Sequence, residues 1–300
     1  MHSPRRLSLT VTSEQAGWKV DALLRGPLAL SGTVIRRAKR LEAGILLDGV
    51  RAAAGDRVQT GQLLSVVVGD TAVSGAVVPA PGSLDIVYQD QDVLVLNKAP
   101  GVAVHPGPGH HFDTIGNFLM DYYRKQGILA DFHPVHRLDR GTSGLLLVAL
   151  HSHAQEALRL QLHTPAFRRI YLAVCEGVPE PPSGVIDAPI GRLEGSVLAR
   201  TVRPDGQRAV TRYRTLRTGD GRALLRLELE TGRTHQIRVH LAHVGHPLTG
   251  DFLYGTEDPS LIPRPALHAA ELSFTHPITG ASMTFAAPLP QDMAALVPEE

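Results

Sequence analysis

The sequence predicts an α+β protein of two domains, and two observations support this fold class. The segment 74–83 contains proline and glycine but no charged residue and no apolar periodicity, which is typical of a linker. Downstream of it, strand patterns outnumber helix patterns, and three helices lie between the strands. We therefore expect a small domain over residues 12–72, a linker over 73–84 and a larger domain over 85–290.

The composition is that of a globular protein. Hydrophobic residues make up 43% and charged residues 20% of the chain, which suits the burial of a core. No stretch reaches the ~18 apolar residues of a membrane span, and no apolar segment follows the first basic residues as in a signal peptide. The single cysteine, Cys175, lies in an apolar run, so we expect a small buried hydrophobe rather than a reactive thiol, and a reduced, cytoplasmic location.

The net charge of +1 neither favours nor excludes nucleic acid as a partner, but its distribution is informative. Between Arg5 and Asp70 there are ten arginines and lysines against six acidic residues, a local charge of +4. A concentration of this kind is typical of a nucleic-acid-binding surface.

Local signals define the elements of the first domain. A short helix is expected at 21–24, and Ser31 can cap a second helix that runs to about Ala43. The second helix carries four basic residues and an apolar stripe: Arg36, Arg37, Lys39 and Arg40, and Val34, Ile35, Ala38 and Leu41. Asp48-Gly49 predicts a hairpin turn, and 63–68 is a further strand. The four basic residues form either a solvated helix face or an RNA contact.

The second domain is predicted to alternate strands with three helices. Strands are expected at 85–88, 93–98, 169–176, 223–230, 272–274 and 283–286, the last two flanking a turn at 277–280. Helices are expected at 114–126, 154–163 and 234–244.

The most informative segment, 136–147, places Asp139 between Arg137 and Arg140 in a turn rich in small residues. An apolar run, 145–150, follows at once, so the carboxylate lies at the edge of a core. Flanking guanidinium groups favour the ionised acid and lower its pKa, which suits nucleophilic or electrostatic work. A structural ion pair that caps a strand is the alternative, because such pairs perturb pKa values too.

A second charged segment, 230–242, could bind an anion. Thr231 or Thr234 can cap a helix there. The first turns of that helix would expose Arg233, His235 and Gln236. A helix N-terminus with basic side chains attracts anions, and Arg238, about one turn further, could reach a phosphate or a carboxylate.

Three histidines raise the alternative of a zinc-dependent hydrolase. His240, His243 and His246 are spaced three apart, but on a helix these positions drift around the surface. No cysteine pair or His-Glu-x-x-His motif accompanies them, Ser143 lacks the Gly-x-Ser-x-Gly pattern, and no phosphate-binding Gly-x-x-x-x-Gly-Lys loop occurs. We therefore expect no metal.

Four segments in order resemble the motifs of RluA-type pseudouridine synthases: 96–106, 136–147, 169–174 and 231–242, the last continuing through 245–248 and 250–255. Ala99-Pro100 departs from the commoner Pro-Ala, and Arg169 stands where a lysine is common. The resemblance covers 85–290, and residues 12–70 resemble an S4-type domain, a common arrangement in this family. It implies a small S4-type α/β RNA-binding domain followed by a mixed, mainly antiparallel catalytic sheet.

The resemblance implies an enzyme that isomerises uridine to pseudouridine in RNA without a cofactor. Asp139 matches the catalytic aspartate, which attacks the flipped uridine at the base or the sugar, and Arg238 matches the arginine that pairs with it. Tyr171 matches a tyrosine near the base that serves in proton transfer, with packing as the alternative role. Arg137 matches a residue that fills the space left by the flipped base. RNA contacts are expected at Arg36, Arg37, Lys39, Arg40, Arg233 and His235.

Large-subunit ribosomal RNA is the expected partner, because S4-bearing members of this family usually act there, and transfer RNA is the nearest alternative. A non-catalytic RNA-binding or ribosome-assembly protein on the same fold would predict loss of Asp139 or Tyr171, and both are present. The sequence names neither the target uridine nor the oligomeric state, for which a monomer is the expectation.

Overall fold

The computed structural model describes residues 4–162 and 164–297. Its strands are β1 Arg6–Thr10, β2 Ile45–Leu47, β3 Val50–Arg51, β4 Leu63–Val67, β5 Ile86–Gln89, β6 Val93–Lys98, β7 His133–Pro134, β8 Ser143–Ala149, β9 Arg168–Glu176, β10 Ser183–Asp187, β11 Ile190–Arg192, β12 Arg200–Val202, β13 Val210–Gly219, β14 Arg222–Leu229, β15 Leu267–Thr275 and β16 Ser282–Ala286. Its helices are α1 Val20–Arg25, α2 Gly32–Arg40, α3 Ile115–Gln126, α4 Ser152–Gln161, α5 Gln236–His243 and α6 Gln291–Ala294.

The N-terminal part of the chain folds on a four-stranded sheet in the order β1-β4-β2-β3. Three of the four residues of the predicted apolar stripe of α2 are buried in the core that this sheet shares with α1, namely Val34, Ile35 and Ala38. The fourth, Leu41, lies past the end of the helix and is half-buried. Strand β1, to which the sequence analysis assigned no element, pairs with β4 along its whole length.

Both local signals in this part of the chain are confirmed. The Ser31 hydroxyl accepts a hydrogen bond from the Val34 amide at the start of α2. Asp48 and Gly49 both have positive φ, 49° and 82°, as the tight turn between β2 and β3 requires. Helix α2 ends at Arg40 rather than near Ala43, because Leu41 is extended and the chain turns back against the end of the helix.

The C-terminal part is built on a ten-stranded sheet whose main path is β10-β13-β14-β9-β15-β8-β6-β5. Strand β16 adds to β15, and β7 adds to β8. Neighbouring strands are antiparallel except β15 and β8, which are parallel. The α+β class with a mixed, mainly antiparallel sheet is confirmed. Cys175 on β9 is fully buried, and burial raises the pKa of its thiol to about 12.

The junction of β15 with β8 requires a glycine. Ala269 of β15 pairs with Tyr171 of β9 on one side and with Gly144 of β8 on the other. Gly144 has φ 105°, and a Cβ there would collide with the Ala269 backbone. The small residues of the 136–147 segment therefore let the turn that carries Asp139 approach the strand next to Tyr171.

Two buried carboxylates join the N-terminal part to the large sheet. Asp70 accepts hydrogen bonds from Arg37 at 3.0 Å and from the Asp131 amide at 2.9 Å, and contacts His133 at 2.6 Å. Asp92 receives Arg5 through two hydrogen bonds of 2.8 and 3.0 Å. The two parts of the chain are thus connected by charge as well as by the segment 74–83.

The three predicted helices of the second domain are confirmed as α3, α4 and α5, with small differences at their ends. Helix α4 ends at Gln161, and the predicted end, His163, lies outside the described residues. Across the described ranges, no helix is long and apolar enough to cross a membrane.

The predicted cap of α5 is wrong. Helix α5 begins after His235, which has φ 58° and forms no side-chain cap. Thr231 instead receives the Val210 amide and donates to the side chain of Gln236, so it holds the segment against β13. The left-handed turn at His235 directs that residue into the cleft in front of the sheet.

Candidate active site

Asp139 lies in the loop between β7 and β8, at the mouth of a cleft on the large sheet. Its neighbour Leu138 is buried in the main core and anchors the loop. The Asp139 carbonyl accepts the Thr142 amide at 3.1 Å, which closes the turn. The Asp139 side chain is 21% exposed, so it is held by the fold and still reaches the cleft.

Arg238 on α5 is the cation that Asp139 faces, with 3.6 Å between Arg238 Nη1 and Asp139 Oδ2. Its other nitrogens form two 2.7 Å hydrogen bonds to the carboxylate of Asp251. Asp251 is fully buried and also accepts the amides of Leu253 and Tyr254. Burial lowers the pKa of Arg238, but the hydrogen bonds and charges of Asp251, with the charge of Asp139, hold it above the usual value.

Two aromatic rings complete the support of Arg238. Its guanidinium carbon lies 5.0 Å from the Tyr254 ring centroid and 5.5 Å from that of Phe252. A bidentate carboxylate and two rings leave the guanidinium little freedom, so Nη1 has a fixed position opposite Asp139.

His235 forms the second contact of Asp139, at 3.8 Å between His235 Nε2 and Asp139 Oδ2. Its Nδ1 lies 2.8 Å from the Tyr254 hydroxyl, which itself accepts the Arg200 amide at 2.8 Å. That hydroxyl therefore donates to Nδ1, and the proton of a neutral imidazole resides on Nε2, toward Asp139. Burial lowers the pKa of His235, which favours this neutral form.

Tyr171 on β9 lies across the cleft from Asp139 and is 5% exposed. Burial raises the pKa of its phenol, so the hydroxyl remains protonated at neutral pH. Tyr171 and Asp139 line two adjoining recesses, of about 60 and about 210 Å³. The smaller recess is lined by the apolar side chains Leu138, Leu229, Ile237 and Leu267 together with the basic ones Arg137, Arg233, His235 and Arg238. The larger recess is basic and is bordered by Arg137, Arg169 and Arg233.

The two arginines that flank Asp139 in sequence do not pair with it. Arg140 donates to the Gly101 carbonyl at 3.0 Å and supports the loop. Arg137 is exposed at the cleft and forms no hydrogen bond or ion pair with any described residue. The expectation that both flanking guanidinium groups hold the carboxylate was therefore wrong, since Arg238, ninety-nine positions away in sequence, has that place.

Of the side chains expected at the start of α5, Arg233, His235 and Gln236 all line the cleft, but Gln236 is not exposed to solvent. Gln236 is 3% exposed and donates to the Val210 carbonyl and to the Thr211 hydroxyl. Its prediction as an exposed anion ligand was wrong, because its amide links α5 to β13.

The side chains of the three spaced histidines do not lie together as a set of metal ligands. His240 is fully buried between the Thr211 hydroxyl and the Ala188 carbonyl, at 2.8 and 2.9 Å. His246 contacts the Glu176 carbonyl, and His243 is exposed. Within the described ranges, the single cluster with metal-ligand spacing is Asp90, Asp92 and His276, whose oxygens and nitrogen already have hydrogen-bond partners.

The basic residues of α2 divide into two kinds. Arg36, Lys39 and Arg40 are exposed. Arg37 is tied to Asp70 and to the carbonyls of Val68 and Gly69. It therefore holds the N-terminal part against the large sheet and leaves three exposed cations on the helix, of which Lys39 forms an ion pair with Asp21 at 3.4 Å.

Sequence reasoning missed several residues that build the site. Asp251 lies in a quoted motif, but a role as the main partner of Arg238 needs the tertiary contact. Lys98, 1% exposed, donates to the carbonyls of Ala99, Val102 and Arg140, and so joins two of the motifs behind Asp139. Burial lowers the pKa of Lys98 to about 7, while three carbonyl acceptors favour its charged form.

Comparison with known proteins identifies the class of protein that this cleft defines. The sequence pattern of the RNA pseudouridylate synthase family matches residues 92–243, which include Asp139, Tyr171 and Arg238. The chain belongs to this family, of the RluA type, and it is an RNA pseudouridine synthase, an isomerase.

Relatives match along nearly the whole chain. The uncharacterized RNA pseudouridine synthase YjbO of Bacillus subtilis is 42% identical over 275 residues, which cover 92% of this chain and 97% of that protein. Ribosomal large subunit pseudouridine synthase D of Nitrosomonas europaea is 37% identical over 305 residues, covering 97% of this chain and 87% of that protein. The structure of human RNA pseudouridylate synthase domain containing 1 superimposes with a TM-score of 0.58 at 28% identity, covering 69% of this chain and 85% of that one.

Proposed function

We propose that this enzyme converts uridine to pseudouridine in large-subunit ribosomal RNA and that Asp139 is its nucleophile. The observation that carries the assignment is the 3.6 Å contact of Asp139 with Arg238, whose own orientation is fixed by Asp251. A carboxylate fixed beside a guanidinium at the mouth of a cleft is a competent nucleophile.

The reaction needs no external reagent, because it is an isomerisation. The bond from N1 of uracil to C1′ of the sugar breaks, a bond from C5 to C1′ forms, the C5 proton leaves and N1 gains a proton. Asp139 attacks the flipped nucleotide at the base or at the sugar, and both routes remain open. No cofactor or metal takes part in the proposal.

Tyr171 and Arg137 have separate parts in the proposal. The protonated phenol of Tyr171 lies beside the reacting base and takes part in proton transfer. Arg137 is exposed and has no partner among the described residues, so it is free to enter the stack that the flipped base leaves. The uracil ring binds in the smaller recess, where it contacts the apolar side chains that line it.

The ribosomal substrate is supported by relatives named ribosomal large subunit pseudouridine synthase D, from Nitrosomonas europaea and, at 37% identity, Neisseria meningitidis. Transfer RNA is the alternative substrate. Such substrates would place the enzyme in the cytoplasm, and we propose that it acts as a monomer.

We further propose that residues 12–72 form an S4-type RNA-binding domain, joined by 73–84 to the catalytic domain at 85–290. Arg36, Lys39 and Arg40 would contact the RNA backbone from the free face of α2. Arg233 and His235 would do so at the cleft. Arg37 is left out of this set because its guanidinium is bound to Asp70 and two carbonyls.

The test is to map pseudouridines in total RNA from cells with the gene, without it, and with the gene carrying Asp139→Asn. We expect one or a few large-subunit sites to disappear without the gene and to stay absent with the variant. Loss of sites in transfer RNA alone would select the alternative substrate. Restoration of all sites by the variant would reject Asp139 as the nucleophile.

A further inference from the structure

Arg169 on β9 is a buried arginine with no partner. It is 8% exposed, and among the residues that the structure describes its guanidinium makes no hydrogen bond and no ion pair. Its guanidinium carbon lies 5.7 Å from the centroid of the Phe167 ring. The Arg169 Nε is buried and has no acceptor.

A group of this kind is costly in the free protein. A guanidinium is always charged and carries five donors, and burying it without an anion or carbonyl destabilises the fold. Every other arginine below 10% exposure is paired here, Arg238 with Asp251 and Arg264 with Asp292. The site thus retains a buried positive charge that the protein itself does not neutralise.

The free end of Arg169 reaches the larger, basic recess of about 210 Å³. A Cβ added to Gly232, which borders this recess, would lie 3.2 Å from Arg169 Nη1 and 3.5 Å from Nη2. The absence of a side chain at Gly232 therefore leaves the two terminal nitrogens open to an occupant of the recess. Tyr171, two positions along the same face of β9, and Asp139 line the same recess.

A second unpartnered donor borders the recess. His136 Nε2 accepts the Leu147 amide at 3.2 Å, so the proton of the neutral ring is on Nδ1. Nδ1 is buried and has no acceptor in hydrogen-bond geometry among the described residues, although the Arg137 backbone lies near enough to raise the pKa of the ring. Arg233, half-buried, adds a further positive charge to the same recess.

We propose that Arg169, with Arg233 and Nδ1–H of His136, forms a binding site for an RNA phosphodiester that adjoins the target uridine. A guanidinium matches the oxygens of a phosphate, and a neutral N–H donor adds direction without charge. Asp139 lines both this recess and the smaller one proposed for uracil, as the junction of base and backbone requires. The site rests on the proposed RNA substrate but not on which RNA it is.

The test compares three variants in the Asp139→Asn background, which we expect to bind RNA without turnover. Arg169→Met removes the charge and keeps the length, Arg169→Lys keeps the charge, and Arg222→Gln removes a paired arginine of the same sheet, five positions along β14 from the partner of Tyr171. Binding of a large-subunit ribosomal RNA transcript and of a transfer RNA pool is measured over a series of salt concentrations, together with the Tm of each free protein.

We expect Arg169→Met to weaken binding of the preferred RNA about tenfold to hundredfold, and to reduce the slope of log affinity against log salt by about 0.7. Its Tm should be unchanged or higher, because an unpaired buried charge is gone. Arg169→Lys should keep the parent slope, and Arg222→Gln should change neither slope nor affinity.

Two results would overturn the proposal. The first is a slope of log affinity against log salt in Arg169→Met that equals the slope of the parent protein. The second is a lower Tm together with an equal loss of binding in Arg169→Met and Arg169→Lys, as expected for a structural arginine. Failure of the parent protein to bind either RNA would instead reject the proposed substrate, and the phosphate site with it.

Discussion

Two buried arginines line one cleft of this enzyme and differ in the partners that the protein supplies to them. Arg238 has a bidentate carboxylate, two aromatic rings and a second carboxylate nearby, whereas Arg169 has one ring and no anion. The first charge is neutralised by the fold and orients Asp139. The second is left for a ligand. One side of the cleft thus orients Asp139, and the other side offers a positive charge to the RNA backbone.

Removing the carboxylate that distinguishes the two arginines should have the largest effect. Asp251→Asn leaves Arg238 buried beside a neutral group, and we expect a loss of about 3–5 kcal/mol in the free energy of unfolding. Pseudouridine formation should fall steeply in the protein that remains folded, because Arg238 no longer has a fixed position. Urea unfolding and a tritium-release assay on uridine-labelled RNA measure the two effects.

The matched control is Asp292→Asn. Asp292 also binds a buried arginine, Arg264, with two hydrogen bonds of 2.8 and 2.9 Å, but it is 38% exposed and outside the cleft. We expect a cost of about 1 kcal/mol and nearly parental activity. Equal losses in the two variants would mean that Asp251 is only a stabilising ion pair.

The free energy of unfolding should fall in acid, in part because the charge of Arg169 opposes protonation of His136. Burial, and then the charge of Arg169, lowers the pKa of His136 to about 3. Since the unfolded chain takes up this proton near pH 6.5 and the folded one near 3, His136 has no effect above pH 6.5 and destabilises the fold below it. The expected contribution is a loss of about 1 kcal/mol per pH unit as the pH falls.

The measurement is the free energy of unfolding from pH 7 to pH 4 for the parent, His136→Gln and Arg169→Met. Gln can still accept the Leu147 amide, so the first variant isolates the titration. Both variants should lose less stability in acid than the parent. A parental pH profile in Arg169→Met would mean that its charge does not reach His136.

The smallest effect is expected on α2, where Arg37 is bound to the buried Asp70 whereas Arg36, Lys39 and Arg40 are exposed, Lys39 beside Asp21. Replacing Arg36, Lys39 and Arg40 by Ala should weaken RNA binding and reduce its salt slope by about 0.7–0.9 for each lost phosphate contact, with little change in Tm. Arg37→Ala should instead lower the Tm, because Asp70 loses its cation. An unchanged slope in the triple variant would show that this helix face does not touch RNA.

Signals that act within a few residues were sufficient to predict much of the fold. The Ser31 cap, the Asp48-Gly49 turn and the apolar stripe of α2 depend on local chemistry and are confirmed. The capping residue of α5 was predicted wrongly, because the Thr231 hydroxyl accepts the Val210 amide of β13, about twenty residues away in sequence.

The sequence motifs predicted which residues line the site. They did not predict which side chains pair with one another, because those pairs are tertiary contacts. Asp139, Tyr171 and Arg238 do line one cleft, as the resemblance implied. Tertiary packing decides that Arg238 forms its hydrogen bonds with Asp251. It also decides that Arg169 has no hydrogen-bond acceptor among the described residues. The flanking arginines misled for the same reason, since the fold and not the sequence neighbourhood decides that Arg238 is the cation opposite Asp139.

The central claim is that Asp139, held by Arg238, carries out the isomerisation. Its most direct test is the rate of pseudouridine formation in RNA by purified Asp139→Asn, with RNA binding measured on the same preparation. The account predicts a rate reduced by about 10³-fold or more, with RNA affinity near that of the parent. A rate near the parental value at parental affinity would contradict it.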